Sequence, residues 1–210
     1  NGTGMWTSQS AMELQVPVPT IDMAVTMRDL STLKNQRERI GALLQRPMNH
    51  FGGDRDALLM QLHRALYVGL ILVYAQGLEL LTVASEKYEY NLSLETLVRI
   101  WRGGCIIRAA LLEDIGKGYR KEPGLPNLLL DPEIWNKVMA GEEKLRSIVS
   151  TAAQLGIPAP GLMTALGYLD AYRSAWLPAN LIQAQRDYFG AHTYERIDSN
   201  RTFHTEWHKN

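Results

Sequence analysis

Apolar residues recur at helical spacing along most of the chain. In residues 20–46, Ile21, Val25, Leu30, Leu33, Ile40 and Leu43 fall at intervals near three or four, with Asp22 close to the start and Arg46-Pro47 at the stop, which predicts one long amphipathic helix. A second helix is predicted over 54–85. Asp54 is its cap, and Leu58, Leu59, Leu62, Leu66, Leu70, Val73, Leu78 and Leu81 make it apolar on nearly all faces through its middle, as suits the centre of a bundle. Ser93 caps a short helix through Trp101, Gly103-Gly104 interrupts, and Cys105-Ile106-Ile107-Arg108 resumes the pattern to about Gly116. Residues 117–130, with Gly118, Pro123, Gly124 and Pro126, read as a loop. Asp131-Pro132-Glu133 then starts a helix that reaches about Leu155, where Gly156 and Pro158 end it. Residues 160–188 form the last helix, kinked at Pro178. The only alternating stretch, Val16-Pro17-Val18-Pro19, is demoted as a strand by its prolines. The pattern predicts an all-α domain over 1–189 and an extended tail over 190–210.

That tail carries His192, Phe203, His204, Trp207 and His208 without a period that would pack it on its own domain. Aromatic side chains on an extended terminus contribute little in water and much in a groove, so the tail is expected to dock, another subunit being one candidate for the surface it meets.

Composition narrows the function classes. With 22 Lys+Arg against 22 Asp+Glu in 210 residues, the formal net charge is zero, which offers no basic field for a nucleic-acid backbone. One cysteine makes no internal disulfide and suits a reducing cytoplasm. Of two uncharged stretches, 65–78 is too short to span a bilayer and 147–169 is broken by Gly156-Ile157-Pro158-Ala159-Pro160, so both read as core helices and no membrane partner is expected. The chain opens on Asn1 with no basic or apolar leader, which reads as a piece of something longer.

Five features bear on chemistry. Gly2-Thr3-Gly4 lacks the preceding strand and the third glycine of a dinucleotide fingerprint; it reads better as a tight loop whose N–H groups and Thr3 hydroxyl meet an anion. Arg28 either pairs with Asp22 or Asp29 or joins such an anion site, the ion pair being the plainer expectation. The five histidines form no metal set, since no acidic or sulfur partner completes the spacing of His204 and His208. Cys105 reads as a packing residue rather than a nucleophile. The polar, aromatic run Gln183-Ala184-Gln185-Arg186-Asp187-Tyr188-Phe189-Gly190-Ala191-His192-Thr193-Tyr194 places Arg186 and His192 six residues apart at the end of a helix. A guanidinium and an imidazolium suit a phosphate, so this run reads either as an anion site or as a surface cap.

That run, together with Gly2-Thr3-Gly4-Met5-Trp6-Thr7-Ser8-Gln9-Ser10-Ala11, Gly104-Cys105-Ile106-Ile107-Arg108, Leu177-Pro178-Ala179-Asn180-Leu181-Ile182 and Phe203-His204-Thr205-Glu206-Trp207, closely resembles the C-terminal helical domain of the decarboxylating 6-phosphogluconate dehydrogenase family, in order and over essentially the whole chain. The resemblance implies a dimeric pentose-phosphate-pathway enzyme whose Rossmann domain, absent from this chain, binds NADP. Its helical second domain makes the dimer and much of the pocket for 6-phosphogluconate. It implies that Thr3 and Arg28 hold the substrate phosphate, that Arg186 and His192 reach the pocket of the partner subunit, and that the tail threads through that partner. It also implies that the lysine base and glutamate acid lie upstream, which leaves no catalytic group, cofactor site or metal site here and makes the chain inactive alone. Asn1 and Met5 stand where the family usually has lysines, and loss of the first would remove charge from the phosphate site. The alternative is a free-standing, inactive helical dimer or interaction module that has kept the fold.

Overall fold

The computed structural model describes residues 2–44 and 49–207. The expected helix stop at Arg46-Pro47, Asn1 and His208 lie outside the described residues. Helix α1 spans Gly4–Glu13, α2 Pro19–Thr32, α3 Lys34–Leu44, α4 Arg55–Lys87, α5 Leu94–Gly103, α6 Leu111–Lys121, α7 Pro132–Leu155, α8 Pro160–Tyr172 and α9 Asn180–Gly190; strands β1, Tyr194–Arg196, and β2, Ser199–Phe203, follow. The all-α reading holds, with one small antiparallel hairpin in the tail.

The expected caps are present. Asp54 accepts hydrogen bonds from the Asp56 and Ala57 amides, Ser93 from Thr96, and Asp131 from Glu133 and Ile134, each satisfying N–H groups that a helix start leaves open. At the other end of α7, Gly156 takes φ +71°, the left-handed conformation that closes a helix.

Several boundaries differ from the sequence expectation, each with a local reason. The helix expected over 20–46 divides at Leu33 into α2 and α3: Ser31 and Thr32 donate their hydroxyls back to the Arg28 and Asp29 carbonyls, and the Arg37 guanidinium takes the Ser31 carbonyl. Helix α3 buries none of its residues, so Ile40 and Leu43 do not face a core. Residues 105–108 make a turn instead of a helix start. The Arg108 amide bonds to the Cys105 carbonyl, Ile106 points fully into solvent, and Cys105 is exposed, so it is not the packing residue expected. Helix α6 begins at Leu111 and runs on through Lys121, into the expected loop. The 160–188 helix is two, because Pro178 lacks the N–H a continuing helix needs and Ser174 bonds back to the Asp170 carbonyl. The opening residues form a full helix, α1.

Two compact units result, residues 1–169 and residues 170–210. The expected boundary at 189/190 falls inside the second. In the first unit, one side of α4 is covered by the other helices: Ala65, Val68, Ile71, Leu72, Ala75 and Leu78 are fully buried, packed with Ile134, Val138 and Leu145 of α7 and Leu112 and Ile115 of α6, while Leu62, Leu66 and Leu70 stay exposed. Helix α4 is long and apolar enough to cross a membrane, running well beyond the 65–78 stretch, but here its middle is the axis of a protein core. Two buried amide side chains are paired across elements. Gln76 accepts the Thr20 amide and donates to its hydroxyl, and Asn127 donates to Glu79 and bonds Tyr168. The first pair fixes α2 against α4, and the second ties α4 to α8 through Asn127.

Candidate anion-binding site

In the first unit, α1 and α2 pack closely because glycine faces the contact. A Cβ at Gly4 would lie 3.0 Å from Val25, and one at Gly2 would lie 2.4 Å from Nη1 of Arg28. The Arg28 guanidinium therefore rests on the Gly2 backbone, directly before the start of α1. Thr3 occupies the cap position of α1, but its hydroxyl makes no capping bond. Its carbonyl instead accepts the Thr7 amide and hydroxyl. Free N–H groups at a helix start, an uncommitted hydroxyl and a guanidinium together form a cationic, donor-rich corner. Arg28 is exposed and, among the described residues, ion-paired with neither Asp22 nor Asp29, so the plainer expectation for it is not met. The structure thus brings Arg28 to the Gly2-Thr3-Gly4 segment. Met5, on the first turn of α1, is exposed.

The second unit holds the other expected pair. Helix α9 presents Arg186 to solvent, its Nη1 3.4 Å from the Gln183 side-chain oxygen. After Gly190 the chain reverses through Ala191 and Thr193, with φ +48° and +62°. His192 lies between them. Its ring is exposed, packs over Gly190, and stands edge-on to Phe189 at 6.3 Å. The tail then forms the β1–β2 hairpin, Tyr194 stacking on Phe203, and returns to α9.

Asp187, to which the sequence reading gave no role, organises this unit. It is 0% exposed and accepts four hydrogen bonds: Thr193 N–H at 2.9 Å and His204 Nδ1 at 2.8 Å on one oxygen, Thr205 N–H at 2.9 Å and Trp207 Nε1 at 3.0 Å on the other. Because an ionised carboxylate only accepts, His204 carries its proton on Nδ1. Burial works to raise the Asp187 pKa, and the four donors, His204 foremost, overcome it and hold the carboxyl well below its ordinary range. Trp207 also meets Tyr188 edge-on at 5.8 Å. Trp207 and His204 of the tail therefore have partners on α9 of their own chain, and Phe203 has its partner in Tyr194 of β1. A lone Asp between Arg and Tyr carries no pattern; the available signal was a tail rich in N–H donors with no acceptor assigned to them.

Chemically, the two clusters offer cations and donors. Among the described residues no group of three or more His, Cys, Asp or Glu is placed to hold a metal. The strands described form only an antiparallel pair, which does not fit a dinucleotide: the parallel βαβ crevice and glycine turn that cradle a pyrophosphate have no counterpart in them.

Known proteins share this sequence and fold. The family model described as 6-phosphogluconate dehydrogenase, C-terminal domain, matches residues 1–207. The decarboxylating 6-phosphogluconate dehydrogenases of Staphylococcus aureus strain N315 and Staphylococcus epidermidis strain ATCC 12228 are each 48% identical over 206 residues, 98% of this chain and 44% of theirs. The fold superposes on Plasmodium falciparum 6-phosphogluconate dehydrogenase, a protein solved in its apo form, with its cofactor NADP+ and with its substrate 6-phosphogluconate, at a TM-score of 0.93 and 39% identity, over 99% of this chain and 45% of that one. The chain belongs to the family of 6-phosphogluconate dehydrogenase C-terminal domains. It spans less than half the length of these relatives.

Proposed function

We propose that this chain is the substrate-phosphate-binding and dimer-forming part of a cytoplasmic, NADP-dependent 6-phosphogluconate dehydrogenase that oxidatively decarboxylates 6-phosphogluconate to ribulose 5-phosphate. The observation that carries this reading is the Arg28 guanidinium seated on Gly2 beside the uncapped Thr3 hydroxyl, in a chain that the family matches from end to end. In this reading Thr3 and Arg28 hold the phosphate from one protomer, and Arg186 and His192, carried on α9 and its tail, serve the pocket of the partner. Their contribution is positioning: a phosphate gripped far from the reacting carbon fixes the sugar acid and lowers the entropic part of the barrier. The described residues do not fit NADP, so hydride transfer and the proton transfers belong to groups supplied elsewhere in the enzyme.

The test is steady-state kinetics of the complete enzyme. Removing a guanidinium from a charge-assisted phosphate contact costs about 1.5–3 kcal/mol, or roughly 10- to 100-fold in binding. Arg186→Ala is therefore expected to raise KM for 6-phosphogluconate by about that factor and to leave KM for NADP unchanged. Equal effects on the two constants would remove the phosphate role.

A further inference from the structure

The backbone around His192 is unfavourable as it stands. Ala191 and Thr193 both lie in the left-handed region, which costs any residue with a Cβ and is rarest for a β-branched one such as Thr193. Something must hold them there, and the holders are on α9. The Asp187 carbonyl accepts the Ala191 amide at 2.9 Å, the Asp187 carboxylate accepts the Thr193 amide at 2.9 Å, and the Gln183 side-chain amide donates to the Thr193 carbonyl. Gln183 also faces Arg186 with its oxygen. Both neighbours of His192 are thus pinned to the helix that carries Arg186. The carboxylate does this with one oxygen, while its other oxygen engages Thr205 and Trp207.

We infer that Asp187 is a positioning residue for substrate binding: its carboxylate sets the reversed backbone that presents His192 at the end of the helix carrying Arg186, with Gln183 as its second tie. The inference rests on the phosphate reading of Arg186 and His192 given above. Asp187 itself is buried and touches no ligand, and it acts through the residues it holds. The tail reaches the carboxylate through His204 on the same oxygen as Thr193 and through Thr205 and Trp207 on the other, so the Trp207 bond can be removed without touching the oxygen that holds Thr193.

The experiment compares Asp187→Asn, Gln183→Leu and Trp207→Phe in the complete enzyme, with hydrogen exchange read at the Thr193 amide. Asp187→Asn is expected to raise KM for 6-phosphogluconate about tenfold or more, with kcat and KM for NADP within about twofold, and to speed exchange at Thr193. Trp207→Phe, which removes only the Trp207 bond on the second oxygen, is expected to leave that KM within about twofold. In a His192→Ala background, Asp187→Asn is expected to add almost nothing, since the two act as one unit. Full multiplication of the two effects overturns the inference, as does an equal response of all kinetic constants to Asp187→Asn and Trp207→Phe. If Asp187→Asn fails to fold, Gln183→Leu takes its place, with the same selective rise in KM expected and an unchanged KM counting against the inference. Should His192→Ala and Arg186→Ala leave KM for 6-phosphogluconate unaltered, the phosphate reading falls. Exchange at Thr193 then decides the positioning role by itself: faster exchange in Asp187→Asn upholds it, unchanged exchange ends it.

Discussion

Gly2 works by what it lacks. With Arg28 Nη1 only 2.4 Å from where a methyl group would sit, Gly2→Ala must push the guanidinium aside, and the end of a flexible side chain yields easily. The fold should therefore survive. The expected outcome is an unchanged melting temperature, within about 2 °C for a surface substitution, together with a raised KM for 6-phosphogluconate. A lowered melting temperature with unchanged KM would place the role of Gly2 in packing. This contact explains why Arg28 was only half legible in the sequence. Its neighbours Asp22 and Asp29 are the nearest acids along the chain and made an ion pair the simplest expectation, whereas the structure turns the side chain toward a backbone 26 positions earlier. Arg186 and His192 stood out in the sequence because a polar run where a core stripe should stop is itself a signal. Asp187 was not, because its four donors come from residues six to twenty positions away.

At the scale of elements, the ends of helices were the readable part where a side chain alone makes the cap. Asp54, Ser93 and Asp131 do so with oxygen atoms two or three residues from the amides they serve, a relation visible in any sequence. The breaks inside α2–α3 and α8–α9 depended on hydroxyls that bond back to carbonyls, which Ser and Thr do in some helices and not in others. The packing of α7 on α4 supplies a sharper test. Gly141 of α7 faces Val68 of α4, whose Cγ2 would lie 2.6 Å from an added Cβ, with the Arg64 carbonyl at 3.5 Å. Both obstacles are in the core wall, so Gly141→Ala should destabilise by about 1–3 kcal/mol, read as a lower urea midpoint. Gly41, in the exposed helix α3, has nothing within 4 Å of that position, and Gly41→Ala should raise the same midpoint slightly, by about 0.5–1 kcal/mol. The same direction of change at both sites would contradict the packing described. The α9–tail element adds a dependence on acid. The Asp187 carboxyl titrates below its unfolded value of about 4, so the stability it contributes is fully present above that pH and is lost as pH falls from there toward the folded value. Exchange at the Thr193 and Thr205 amides should accelerate over that acidic window before the core helices respond, and Asp187→Asn should abolish the dependence.

Across the whole molecule, what the chain leaves uncovered argues for assembly. Leu62, Leu66 and Leu70 fall at i, i+4 and i+8 on one exposed face of α4, and α9 exposes Leu181, Ile182 and Phe189, the last at 72%. A monomer seldom shows water this many large apolar side chains on elements that are otherwise well formed. The apolar period of α4 was plain in the sequence, but period alone does not distinguish a core of the same chain from a surface shared with a second copy; only the burial of each position does. In the proposed dimer the tail is folded before it docks, because the Asp187 bonds and the β1–β2 hairpin lie within residues 170–210. A prefolded element gives up less conformational entropy on binding than a loose strand would. Deletion of residues 190–210 should therefore weaken the dimer about tenfold or more, seen by light scattering across a dilution series, since it removes a rigid aromatic surface and not a floppy extension. Leu66→Glu should act on the same equilibrium by placing a charge in the apolar face of α4. The helical circular dichroism contributed by α4 and α7 should persist in the deletion variant, because their core is built without the tail. A deletion variant that dimerises as tightly as the intact chain would confine the tail to its own protomer and leave the α4 face as the surface on which the dimer must rest.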